Sequence, residues 1–265
     1  MRNFYYVHTG HRIGLDRFRR ACAIIKSLGD VDITLLCSDY RIAQIAKDFG
    51  VKNAVGIDVV RNIPQISHHG DNIIFDSDEA NPVMLEDMKN YFSTFIHIEE
   101  NEVVVDETYF KKCKKTIKMT YFFGDDDYSK DLEKNLSFLD GLEPDLQLGF
   151  YYFLDYEDSL KEKFKNSYEF EDYEEMIKKT DILITASPQA VLESLASGGK
   201  PIYFQREDYT TKFREIFESL NVPIIDNYDN KQLLLLLETV NNHNYNQLTQ
   251  NSYKMCEIIK NNLKF

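Results

Sequence analysis

The chain has 265 residues, 43% of them hydrophobic, enough for one large domain or two mid-sized ones with buried cores. A formal net charge of -13 argues against a general nucleic-acid binder, which needs a basic footprint against phosphate, and leaves room for a local basic pocket. Cys22, Cys37, Cys113 and Cys256 are scattered with no C-x-x-C pair, which argues against a zinc site and for reduced, mostly buried thiols.

In chain order, "MRNFYYVHTG" reads as a strand rather than a signal peptide. No apolar run approaches the ~18 residues of a membrane span, so the expectation is a cytoplasmic protein without one. After the turn "TGHRIG", the helix "LDRFRRACAIIKSL" puts Phe18, Ala21, Cys22, Ile25 and Leu28 on one face. "DITLLC" (32–37) is a strand, "YRIAQIAKDFG" (40–50) a helix closed by Gly50, and "NAVGI" and "DNIIFD" (71–76) further strands. "NPVMLEDMKNYF" (81–92) opens with Asn before Pro, a capped helix start, and "TFIHI" (94–98) is a strand.

The pattern then restarts. "IKMTYFFG" (117–124) is a strand ending at a glycine and an acidic turn. The helix "SKDLEKNLSFL", the strand "DLQLGF" and the helices "YEDSLKEKF" and "DYEEMIKKT" follow. "DILIT" (181–185) is a strand, "SPQAVLESLASGG" a helix, "PIYFQ" a strand, "TTKFREIFESL" a helix, "VPII" a strand and "NKQLLLLLETV" a helix. The tail from about Tyr245 to Leu263 is one more amphipathic helix. Strands alternating with helices imply parallel sheets with right-handed crossovers. Two such series, split by "ENEVVVDETYFKKCKK" (100–115), imply an α/β protein with two Rossmann-like domains, 1–114 and 115–265, facing a cleft. Ligands of open α/β sheets sit at the carboxyl ends of the strands, which directs attention to the loops after Val7, Asp76, Phe123 and Thr185.

"ITASPQAVLESLASGGKPIYF" (184–204) supports a phosphate and ribose site. A helix start after a parallel strand offers free N–H groups and the positive end of the helix dipole. Ser187 there caps the helix or donates to a phosphate, Gln189 sits in the first turn, and Glu193 has the chemistry to accept from a ribose diol. The plain alternative is a capped helix with an exposed Glu. This segment resembles the nucleotide-binding segment of GT-B glycosyltransferases, with Ser187, Glu193, Gly199 and Pro201 matching the Ser, Glu and Gly-x-Pro of that family. The resemblance implies Ser187 beside the diphosphate and Glu193 on the ribose hydroxyls.

"HTGHRIGLDRFRRACAIIKSL" is similar to the N-terminal segment of the UDP-sugar hydrolase of pseudaminic acid biosynthesis, whose pattern is Ile-Gly-x-Gly-His-x-x-Arg. Ile13, Gly14 and Arg20 match, while Asp16 and Arg17 stand where that family has Gly and its catalytic His. "FFGDDDYSK" sits where the family has Phe-Gly-Gly-x-Asp; Gly124 and Asp127 match and Asp125 replaces the second Gly. The resemblance implies a UDP-linked sugar as ligand, with hydrolysis or glycosyl transfer at the anomeric carbon. An Arg stays protonated and cannot serve as the base. His8 or His11 is left to stand in, or Asp16 to orient water; the bland reading makes His8 a strand end and His11 an exposed side chain. Arg12, Arg17, Arg19 and Arg20 form a basic knot, with Arg17 and Arg20 one turn apart on a shared face, that either grips an acidic sugar or a phosphate bidentately through Arg12 and Arg17 or pairs at the surface, Asp16 with Arg20 at i,i+4. Asp76 either meets a sugar hydroxyl or caps a helix. In "QREDYTT" (205–211), placed beside the donor sugar by the resemblance, Gln205 is the candidate.

No cofactor is expected; Asp125–Asp127 holding Mg²⁺ is the one route to a metal, against the commoner role of such residues as caps and solvated charges. The competing functional class is a relative without activity that binds a sugar nucleotide or a partner enzyme.

Overall fold

A computed structural model of the chain describes residues 1–249 and 254–263. The chain divides into two compact units, one of Met1–Asp106 with the C-terminal segment, the other of Glu107–Gln250.

In unit 1, strands β1 (Asn3–Val7), β2 (Ile33–Cys37), β3 (Asn53–Gly56), β4 (Asn72–Asp76) and β5 (Thr94–His97) form a parallel sheet in the order β3-β2-β1-β4-β5. Helices α1 (Asp16–Leu28), α2 (Tyr40–Ile45), α3 (Ile63–Ile66) and α4 (Pro82–Tyr91) make the crossovers. Every residue of β4 is buried, as a continuous run held between two neighbours on a covered sheet requires. The face of α1 expected from its spacing is buried, and so are Arg19, Arg20, Ala23 and Ile24. A single apolar stripe does not account for that width. The helix α1 is covered a second time, by the chain's closing helix Lys254–Asn262, where Ser27 Oγ donates to Cys256 Sγ at 2.9 Å.

In unit 2, β6 (Ile117–Phe122), β7 (Asp145–Gln147), β8 (Ser167–Tyr168), β9 (Thr180–Thr185), β10 (Lys200–Phe204) and β11 (Ile224–Ile225) form a second parallel sheet, β11-β10-β9-β6-β7-β8. Its helices are α5 (Asp131–Lys134), α6 (Leu154–Lys161), α7 (Tyr173–Lys179), α8 (Pro188–Ala196), α9 (Arg214–Ser219) and α10 (Asn230–Thr239); the closing helix of unit 1 is α11.

Four local expectations change. The helix foreseen over 40–50 ends at Ile45, because the next residues tighten into i→i−3 bonds, Asp48 N to Ile45 O and Phe49 N to Ala46 O. That over "SKDLEKNLSFL" divides into α5 and a 3-10 turn, Leu136–Leu139, at Asn135. The tail is not helical at 245–249: Asn246 bonds Leu220 O and Ser219 O, and Tyr245 OH bonds Pro201 O, which holds that stretch on unit 2. Of the remaining tail, 250–253 lies outside the described residues, and α11 packs on unit 1 rather than extending the second domain. Strand β8, two residues long, offers no periodicity to read and was not foreseen.

Candidate functional site

The chain leaves β6 at Phe122 and turns at Gly124, whose φ of +132° lies where side chains are strained. A Cβ there would stand 3.6 Å from Nη1 of Arg206. The acidic run that follows is buried, not solvated. Asp127 caps α5, accepting from Asp131 N at 2.7 Å and Leu132 N at 3.0 Å, and it accepts Tyr156 OH at 2.5 Å. Burial holds the Asp127 carboxyl above its ordinary range, against the pull of these donors. Among the described residues no group of three His, Cys, Asp or Glu is arranged to hold a metal ion.

Ser187 is the N-cap of α8, its Oγ accepting from Ala190 N at 3.1 Å, with Pro188 at the first helical position. Glu193 is only 1% exposed. Its carboxylate accepts from Tyr173 OH at 2.7 Å and from Gln189 Nε2 at 3.0 Å, so two residues assigned to a ligand bond each other. The exposed Glu of the bland reading is thereby excluded. Gly198, at φ +75°, and Gly199, where a Cβ would lie 2.4 Å from Ser194 Oγ, explain the Gly-Gly that ends this helix.

Gln205 is buried at the end of β10, its amide donating to the carbonyls of Arg206, Tyr209 and Thr210. It folds the loop that presents Arg206. The Arg206 guanidinium is buried on the face of Phe123, 4.4 Å from the ring centroid. Its Nε and Nη2 donate to Asp208 at 2.8 and 2.6 Å, and Nη1 donates to Asp126 O at 2.9 Å. Burial works against the charge, and the Asp208 pair more than offsets it, holding the group further above its ordinary range. Strands β10 and β6 flank β9. A side chain that leaves β10 and bonds the loop after β6 therefore crosses the carboxyl end of β9, where Ala186 and Ser187 lead into α8. The next loop, after β7, is locked to the same turn: Tyr151 N donates to Asp125 O at 2.8 Å, and a Cβ on Gly149 would meet Gly124 O at 2.5 Å. Tyr152 on that loop is 8% exposed, its hydroxyl has no hydrogen-bond partner among the described residues, and Asp127 and Arg206 are among the charged groups acting on it. Arg206 and Tyr152 are the residues that sequence reasoning missed.

Unit 1 separates the two histidines. His8, at the end of β1, lies 3.4 Å through Nδ1 from Asp78 Oδ1 and 3.8 Å from Glu79, both on the loop after β4. Arg17 joins the same group, 3.4 Å from Asp78 and 3.4 Å from Glu100. The His8 contact, aided by Arg17, holds the Asp78 carboxyl well below the usual range. His11 is exposed and lines an open concavity of about 350 Å³ with Gly10, Ser38, Asp39, Tyr40, Arg41 and Asp58. Gly14, at φ +73°, closes this loop by donating to Gly10 O at 2.9 Å. Asp16 pairs with Arg19 at 3.8 Å, not with Arg20. Arg20 instead donates to Asp76 at 3.1 and 2.6 Å and to the carbonyls of Glu100 and Glu102, which commits four of its five N–H groups. Asp76, expected to reach a sugar or a cap, is fully buried and also accepts Tyr5 OH.

No family model and no curated protein matches the chain. Solved structures do. The UDP-GlcNAc 2-epimerase of Methanocaldococcus jannaschii, in complex with UDP-GlcNAc and UDP, aligns over 98% of this chain and 100% of its own, at TM-score 0.60 and 12% identity. HepE of Anabaena, in complex with UDP, aligns over 92% of each chain at TM-score 0.55 and 10% identity. The glycosyltransferase SnogD of Streptomyces nogalater covers 92% of this chain and 96% of its own at TM-score 0.51 and 11% identity. The fold is that of the GT-B enzymes, two Rossmann-like units each built on a parallel sheet. Among the described residues no helix is long and apolar enough to cross a membrane.

Proposed function

We propose that this chain binds a nucleoside diphosphate-sugar, UDP-linked, on unit 2 and acts at the anomeric carbon. The observation that carries the reading is the convergence of the Gly124 turn, the start of α8 and the Arg206 guanidinium on the carboxyl ends of three adjacent strands, β6, β9 and β10. β6 is also the strand where the order of unit 2 reverses, the place where open α/β sheets take their ligands. Backbone N–H groups at the helix start and a guanidinium together suit a diphosphate. Two neighbours sharing the fold are described in complex with UDP.

In this reading the acceptor hydroxyl loses its proton as it attacks the anomeric carbon, and the bond from that carbon to the β-phosphate oxygen breaks. The diphosphate leaves with its charge stabilised by Arg206 and α8. General-base work falls to His8. With Nδ1–H directed at Asp78, Nε2 carries the lone pair that takes the proton. Arg17, ion-paired with Asp78 and Glu100, helps fix that carboxylate. Glu193 takes the ribose hydroxyls by exchanging them for Tyr173 or Gln189. Hydrolysis, the activity of the pseudaminic acid enzyme, is the same displacement with water as acceptor. A binder without activity is favoured by one observation, the Arg17 ion pairs in place of a base.

UDP release from a panel of UDP-sugars, with and without candidate acceptors, tests the reading. Turnover lost in His8→Ala by ~10²-fold or more, with UDP affinity retained, is expected. Tight UDP binding without turnover on any donor selects the inactive binder.

A further inference from the structure

Against a net charge of -13, residues 111–118 read KKCKKTIK, five lysines and no acid in eight positions. Lys112, Lys114, Thr116 and Lys118 are exposed, while Cys113, Lys115, Ile117 and Met119 between them are half-buried. That is the alternation of a strand, begun ahead of β6, and it sets three cations along one side of ~20 Å of chain, with Lys111 exposed at its start. The fold brings two more lysines beside the run: Thr116 N donates to Lys179 O at 2.9 Å, and Lys115 Nζ donates to Lys178 O at 2.9 Å. The carboxylates that could neutralise the patch are already engaged, Glu174 with Lys178 and Glu175 with Lys179. Asp181, whose charge reaches Lys115, is paired with Lys200. Lys111, Lys112, Lys114 and Lys118 have no ion-pair partner among the described residues.

We propose that this lysine row, at the amino ends of β6 and β9 in unit 2, is a peripheral docking surface for an anionic lipid bilayer. The residue types select the partner. Lysine is a point charge without the fork that grips one phosphate or carboxylate bidentately, so lysines without an arginine suit a diffuse negative surface rather than a single phosphorylated group. The run holds no aromatic side chain on which the bases of a single-stranded nucleic acid would stack. A long polyanion would run past the row onto a chain with 44 acidic residues against 31 basic ones. A flat bilayer engages the row without wrapping the chain, and charges more than ~10 Å from the contact are largely screened at 0.1 M salt. The row stands at the strand ends opposite those that carry the Gly124 turn and Arg206, so docking leaves the nucleotide site open.

The test is co-sedimentation of the full chain with phosphatidylcholine vesicles, with and without an equal part of phosphatidylserine, at low and high salt. The row variant is Lys111→Gln/Lys112→Gln/Lys114→Gln/Lys118→Gln. The control, Lys47→Gln/Lys52→Gln/Lys165→Gln/Lys231→Gln, removes the same charge from exposed lysines scattered along the chain. The wild type is expected to bind the phosphatidylserine vesicles, to leave them at high salt and to ignore phosphatidylcholine alone. The row variant should lose about fivefold per lysine, more than ~100-fold in all, while the control stays within about threefold of the wild type. Thermal melts check that both variants are folded, and the single changes Lys114→Gln and Lys118→Gln, each at about fivefold, carry the test if the row variant unfolds. Wild type that fails to bind at low salt, that binds both vesicles alike, or that is weakened equally by the two sets of changes overturns the proposal. Wild type held by a DNA duplex and not by vesicles assigns the row to a polyanion, and overturns it as well.

Discussion

Two arginines in this molecule look alike by burial and differ in almost everything else. Arg20 is on α1 in unit 1, within a run of basic residues, and its fork closes on the fully buried Asp76 with two carbonyls taking the remaining edge. Arg206 is on a loop in unit 2, its fork closing on a half-exposed carboxylate two residues away and its third bond reaching over a strand end. Arg20 commits four of its five N–H groups inside its unit, two of them to a carboxylate with no exposure. Arg206 is paired with a carboxylate that is half in water. Burial of a cation therefore says little about ligand binding. What separates structure from site is whether the partners are themselves buried, and where the side chain lies in the order of the strands.

The comparison breaks most visibly at Arg20. Arg20→Ala leaves the Asp76 carboxylate uncompensated in the core, which costs ~3–5 kcal/mol, a large share of an ordinary domain's stability. Thermal or urea unfolding should show it, and a loss below ~1 kcal/mol would mean that Asp76 finds water or another donor. Arg206→Gln should move the melt far less, within ~1 kcal/mol, because the abandoned Asp208 is already wet. Between them lies Glu193→Ala. It removes a buried acceptor of the Tyr173 hydroxyl and of the Gln189 amide, at ~1–3 kcal/mol, whether or not a ribose ever binds there. Adding Tyr173→Phe to that variant should recover part of the loss. No recovery would place the cost of Glu193→Ala elsewhere.

A further effect is a matter of pH. Burial pushes the Lys115 ammonium in unit 2 down to about 8, where it donates to Lys178 O at 2.9 Å. Between about 8 and the ordinary lysine value the unfolded chain holds more protons than the folded one, so stability rises with pH across that window and the penalty is fully present below it. Denaturant midpoints at pH 7 and pH 10 should differ less for Lys115→Met than for the wild type. Equal differences in the two proteins would show that Lys115 titrates normally.

How far the sequence leads follows the same division. Parallel sheets, helices and the two-unit series are legible because each strand is a short apolar run between turn residues. The helix start at Ser187–Pro188 is legible for the same reason, since capping is local. What escapes is anything set by strand order. The basic run 12–20 stands out along the chain, yet the fold commits Arg20 to Asp76 and Asp16 to Arg19. "QREDYTT" shows one arginine between a glutamine and two acidic residues, the pattern of a solvated surface, and only the placement of β10 and β6 on either side of β9 gives it a place above the strand ends. Glu193 was found by its motif, but its partner Tyr173 lies twenty residues earlier on another helix, and no spacing rule connects them.

The central claim is that unit 2 holds a diphosphate where β6, β9 and β10 end. The most direct measurement is calorimetric titration of UDP and uridine into the wild type and Arg206→Gln, at one salt concentration. The account predicts that UDP binds more tightly than uridine and that Arg206→Gln weakens UDP by ~10-fold or more while leaving uridine unchanged, the scale of a lost charge-assisted hydrogen bond. UDP and uridine bound alike, or UDP bound equally well without Arg206, would contradict it.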